Sequence, residues 1–168
     1  MKRRWLILGG LLLALAVAFF VLRVPDTDPD EMYAKYGTPP SQMLAIDGDR
    51  RIHVRDEGPR DAPVVMLLHG SNADLLTWQQ WSDALKNDYR VIRFDQRGHG
   101  LTGPAPDGNY SLDGFHADID AVADALGVQR FALAGNSMGG AIAMGYAISN
   151  PERLEALILV DASGAPVE

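Results

Sequence analysis

Three features of the chain predict an α/β fold with a mostly parallel sheet and helices on both faces. Short apolar runs alternate with segments of helical periodicity, the pattern that builds a covered sheet. The central runs Val64–Leu68 and Val91–Phe94 are apolar almost throughout, as in strands buried on both faces. The run Phe131-Ala132-Leu133-Ala134 passes through Gly135-Asn136-Ser137-Met138-Gly139 into a small-residue helical stretch, residues 140–147. A strand, a tight turn and a helix in that order also set the chemistry discussed below.

Taken in order, the elements begin with Met1-Lys2-Arg3-Arg4, a short basic patch. Trp5 to Leu22 is uncharged and apolar all round, and Arg23 ends the run. As a helix it would be about 27 Å long, close to the thickness of a bilayer core. A core helix of a soluble domain would carry a polar stripe, and this segment has none. Residues 1–24 are therefore read as an uncleaved signal anchor, a transmembrane helix. Ala14-Leu15-Ala16 and Ala16-Val17-Ala18 resemble signal-peptidase sites, but cutting there would leave Phe19-Phe20-Val21-Leu22 at the new N-terminus. Secretion after cleavage is the alternative. Lys2, Arg3 and Arg4 place the N-terminus in the cytoplasm and the rest of the chain on the extracytoplasmic side, periplasmic or extracellular.

Residues 25–42 read as a polar, proline-bearing linker and surface segment. Residues 43–168 form the N-terminal part of the folded domain. Met43–Ile46 and Arg51–Arg55 flank Asp47-Gly48-Asp49, a hairpin signal. Trp78, Trp81 and Leu85 recur at helical spacing. Ser111 caps a helix with apolar face Leu112, Phe115, Ile119, Val122 and Leu126, and Gly127 stops it. A strand over 130–134, the helix that ends at Asn150-Pro151, and a last strand Leu157–Val160 follow.

Charge narrows the partners. The formal charge is −7, and beyond residue 22 twelve basic residues face 22 acidic ones, about −10. An acidic domain without a basic cluster argues against nucleic acid and anionic lipid as partners. With no cysteine, disulfides, thiolate metal sites and a cysteine nucleophile are excluded. No metal site and no cofactor are expected. Gly98, Gly100 and Gly103 formally match a dinucleotide fingerprint, but Pro104 and Pro106 prevent a helix from opening there.

G-x-S-x-G between a strand and a helix is the context of a nucleophile elbow. Ser137 is the candidate nucleophile, exposed at a strained turn, with the positive end of a helix aimed at the reacting oxygen. Its tetrahedral intermediate needs two donors. These are assigned to the backbone N–H of Met138 and that of Ser71, in the loop His69-Gly70-Ser71-Asn72.

Together with Asp95-Gln96-Arg97-Gly98-His99-Gly100-Leu101-Thr102 and Leu157-Ile158-Leu159-Val160-Asp161-Ala162, these motifs resemble the α/β-hydrolase superfamily, in its order and spacing over about residues 43–165. The resemblance implies strand order 1-2-4-3-5-6 and a Ser-His-Asp/Glu triad. A serine at position 137 separates the chain from the epoxide hydrolases and haloalkane dehalogenases of this fold, which use aspartate there. The triad order is serine, acid, histidine, yet none of His53, His69, His99 and His116 follows Ser137. The chain is accordingly read as the N-terminal portion of a longer protein, with the C-terminal part of the fold and the catalytic histidine outside it. Asp161 is either the acid or, as favoured here, a structural carboxylate at a strand end. His69 is expected to brace the oxyanion loop, His99 to be a loop residue, and His53 and His116 to be ordinary strand and helix residues.

The expected function is membrane-anchored hydrolysis of a carboxylic ester or related small-molecule acyl substrate. Carbon–carbon bond hydrolysis and perhydrolase chemistry lie within reach of the same serine. A non-catalytic binding protein or pseudo-enzyme is the alternative from another class.

Overall fold

The computed structural model describes residues 2–48 and 50–164. Met1 of the basic patch, Asp49 of the expected turn and residues 165–168 lie outside the described residues. The first element is α1 (Lys2–Leu22). Its stretch Arg4–Leu22 has mean hydropathy 2.7 and buries nothing against the rest of the chain. One such helix fits a membrane anchor and a signal sequence equally.

Between α1 and the sheet lies α2 (Pro29–Tyr36), a helix within the segment read as linker. Asp28 caps it by accepting from Asp30 N at 2.8 Å, and Pro29 sits in its first turn, where no N–H is needed.

The sheet has six strands, β1 (Ser41–Asp47), β2 (Arg50–Glu57), β3 (Val64–Leu68), β4 (Arg90–Phe94), β5 (Phe131–Asn136) and β6 (Leu154–Val160). Their order is β1-β2-β4-β3-β5-β6, the order that the resemblance implies. β1 and β2 form the expected hairpin around Gly48, and β2 pairs antiparallel with β4. The other pairings are parallel. Among the described residues β6 has a neighbour on one side only. Leu157 and Leu159 on it are exposed.

Alternation along the strands divides the core in two. Met66, Leu68, Ile92, Phe94, Phe131 and Leu133 face α4 (Leu112–Ala125) and α5 (Met138–Ser149), which supply Ile119, Val122, Ala123, Ile142, Ala143 and Tyr146. Val65, Leu67, Val91 and Ala134 face the other way, onto Trp78 of a 3₁₀ turn (Leu75–Trp78) and Leu85 of α3 (Gln79–Leu85). Each fully buried Ile, Leu or Val contributes about 1.5–3 kcal/mol.

Some boundaries differ from expectation. β5 runs on to Asn136, directly into the elbow, and β6 begins at Leu154 rather than Leu157. Leu112, expected on the buried face of α4, is 52% exposed. It sits in the first turn, ahead of the point where the helix meets the sheet.

Candidate active site

Ser137 stands between the last residue of β5 and the first of α5, with φ 51° and ψ −116°. A left-handed φ at a non-glycine residue costs about 1–3 kcal/mol and persists only where the surroundings impose it. Here they do. Ser137 N–H donates to Val160 O at 3.2 Å. Its carbonyl accepts from Ala141 N and Ser163 N, each at 3.1 Å. The Asn136 amide donates to Val160 O at 3.0 Å. The flanking glycines have a steric reason. A Cβ on Gly135 would strike Gly139 O, and one on Gly139 would strike Leu68 O of β3.

The loop after β3 runs beside the elbow. A Cβ built on Gly70 would lie 3.2 Å from Ser137 Cβ and 3.1 Å from Asn136 Oδ1, so the backbone approaches as closely as a glycine permits. Ser71 follows, exposed to solvent. Met138 opens α5, so its N–H has no acceptor within the helix. The structure thus brings Ser71, Ser137 and Met138 to one end of the sheet, at the C-terminal ends of β3 and β5.

His69 is fully buried beneath this loop. Its Nε2 accepts from Gln96 N at 3.0 Å, which leaves the proton on Nδ1 to be donated to Gly70 O at 2.7 Å. Gln96 Nε2 donates to His69 O at 2.6 Å. Burial pushes the imidazole below its ordinary pKa, in keeping with a neutral ring that both accepts and donates. His69 is occupied in bracing the loop, as its sequence position suggested.

The other histidines are also engaged. His99 Nδ1 lies 3.1 Å from Arg97 O, and its ring meets that of His69 edge-on at 5.0 Å. His116 Nε2 lies 3.2 Å from Ile142 O. His53 differs from the ordinary strand residue that the sequence suggested. It is buried with Nδ1 2.7 Å from Asp95 Oδ2. The same carboxylate accepts from Leu75 N and Leu101 N, both at 2.8 Å. No histidine hydrogen-bonds Ser137 among the described residues. Asp161 follows β6 with φ 45° and is exposed.

Asp95 and Gln96 were missed as organisers of the loops after β3 and β4. They follow five consecutive buried residues of β4, and a carboxylate and an amide directly after such a strand must find partners inside. Arg97 completes the loop. Its guanidinium grips Asp118 at 2.7 and 2.8 Å and donates to Asn109 O at 2.6 Å. Among the described residues no group of three His, Cys, Asp or Glu side chains is placed to hold a metal ion.

The family model described as alpha/beta hydrolase fold matches residues 63–168. The chain belongs to the α/β-hydrolase family. Epoxide hydrolase 4 of Mus musculus is 35% identical over 116 residues, 68% of this chain and 32% of that protein. The 2-hydroxy-6-oxo-2,4-heptadienoate hydrolase of Pseudomonas putida is 35% identical over 128 residues, 74% of this chain and 46% of that hydrolase. The solved structure of a membrane phospholipase A, described as a bacterial virulence factor, superposes on this α/β-hydrolase with a TM-score of 0.72 at 29% identity. The superposition covers 99% of this chain and 54% of that one. The chain therefore spans less than half the length of these two sequence relatives.

Proposed function

We propose that the protein is a membrane-anchored serine hydrolase that cleaves a carboxylic ester or related small-molecule acyl substrate with Ser137 as nucleophile. The observation that carries this reading is the left-handed backbone of Ser137 between β5 and α5, with the Gly70 backbone packed against it. A binding role would not need that strain.

In this reading Ser137 Oγ attacks the substrate carbonyl while a histidine takes its proton. The N–H groups of Met138 and Ser71 stabilise the tetrahedral oxyanion. Collapse expels the alcohol and leaves an acyl-serine, and water attacks that ester to release the acid. The histidine and the acid belong to the part of the hydrolase fold that this chain does not span. Asp161 acts as a strand-end carboxylate. The serine favours acyl chemistry over epoxide opening, despite the likeness to an epoxide hydrolase.

α1 holds the domain at the membrane, with Lys2, Arg3 and Arg4 on the cytoplasmic side and the catalytic domain outside. The likeness to a membrane phospholipase A extends over almost the whole chain and supports both the anchor and acyl-ester chemistry.

The test is covalent labelling of the complete gene product by a fluorophosphonate probe. Ser137 should label, Ser137→Ala should not, and hydrolysis of short-chain p-nitrophenyl esters should disappear with the label. A folded parent protein that stays unlabelled would sink the enzyme reading and leave a binding role. Release of the protein from membranes by alkaline carbonate would do the same for the anchor.

A further inference from the structure

We propose that the protein presents the Ser137 end of its sheet to the bilayer, and that its substrate is an acyl amphiphile resident in that membrane, with a neutral or zwitterionic headgroup. The inference rests on the anchored serine hydrolase proposed above and adds the direction from which substrate arrives.

The argument starts from where α2 sits. Met32 and Tyr36 of α2, with Thr27 just before it, share a cavity of about 250 Å³ with Leu75, Leu76 and Leu101. Leu75 and Leu76 follow the C-terminal end of β3, and Leu101 lies in the loop after β4. Ser71 lies in the loop that leads to Leu75, and Ser137 follows the parallel neighbour of β3, so α2 is seated at the Ser137 end of the sheet. Only six residues, Arg23–Asp28, separate α2 from the apolar α1. Fully extended they reach about 20 Å. The opposite end of the sheet, where residues 59–63 and 86–89 lead into β3 and β4, stands a further strand length away. For these five-residue strands that is about 17 Å. The short tether holds one end of the domain near the membrane and the other end away from it.

The surface at the near end suits that place. Tyr33, Tyr36, Tyr110 and Leu112 are exposed there. Tyr110 is fixed to the loop after β4, its hydroxyl accepting from Ala105 N at 3.0 Å. Tyrosine is at home in the headgroup region, where one end of a side chain is apolar and the other wet, and leucine adds apolar surface that faces the acyl boundary. Asp107 and Asp113 are exposed at the same end and disfavour an anionic headgroup.

The absence of cysteine from these residues makes the geometry measurable. In a cysteine-free background of the complete gene product, Asp107→Cys and Asp61→Cys each carry a fluorophore. The protein is placed in phosphatidylcholine vesicles with an acceptor dye on the headgroups. Energy transfer should be several-fold stronger from position 107 than from position 61. Equal transfer, or stronger transfer from position 61, overturns the orientation whether or not Ser137 labels with fluorophosphonate. A second variant carries a long Gly/Ser insertion between Val24 and Pro25. Its rate on a long-chain ester embedded in the vesicles should fall several-fold, while its rate on a soluble p-nitrophenyl ester stays unchanged. An unchanged rate on the embedded ester overturns the substrate assignment. Strong transfer from position 107 in a protein that never labels at Ser137 leaves the orientation standing, and it removes the hydrolase reading together with the substrate.

Discussion

At the scale of single residues, Ser137 and His69 are both held by the backbone around them, Ser137 through its own N–H and C=O and His69 through its two ring nitrogens. The strand–turn–helix geometry at Ser137 was legible because everything that defines it is local: five residues, a strand before them and a helix after. The His53–Asp95 pair was not legible, since its partners are 42 residues apart and strand periodicity says only that His53 points inward. His69 yields a pH prediction. Its ordinary pKa is 6.5, and burial lowers it in the folded protein. Just below pH 6.5 the unfolded chain therefore binds more protons than the folded one, and stability falls as the pH drops from there toward the folded value. Above that window the contribution is constant. The urea midpoint of the parent should fall between about pH 7.5 and about pH 5.5 by more than that of His69→Gln. Equal falls in the two proteins would show that His69 is not the source.

Among the elements, α4 followed from its sequence because Ser111 announces its start and an apolar face follows. Ser111 Oγ accepts from Gly114 N at 3.2 Å, and Ser111→Ala should cost about 1 kcal/mol in chemical denaturation. A stability change near zero would mean that water replaces the cap at no cost. α2 was hidden because prolines and acidic residues read as linker. In the structure the same residues are start signals, Asp28 as cap and Pro29 in the first turn. The first three residues of β6 were hidden by Glu155, which interrupts an apolar run in a strand that is exposed along most of its length.

Across the whole molecule, the sheet order came from the resemblance, since no local pattern tells β4 to insert between β2 and β3. What holds those distant parts together is partly ionic. Asp118 of α4 receives Arg97 from the loop after β4, and Arg50 from the start of β2 at 2.7 Å. Arg97 and Asp118 are almost wholly buried, whereas Arg50 is partly exposed. Asp118→Ala would leave Arg97 charged and unpaired in the interior, which should cost about 3–5 kcal/mol. A loss under about 1 kcal/mol, read from the denaturation midpoint, would show that the clamp is solvated in the native state.

The hydrogen bonds at the elbow carry one more implication. Ser137 is fastened on both sides of its Cα, its N–H to Val160 and its C=O to Ala141 and Ser163. Backbone freedom at that residue is therefore surrendered when the chain folds. Fixing the backbone of one residue costs about 1–2 kcal/mol, and in the proposed reaction that cost is met by folding before the Ser137 hydroxyl attacks. The fastening also makes the elbow depend on β6 and on the residues just after it: a change that loosens Val160 or Ser163 would shift Ser137 without touching it.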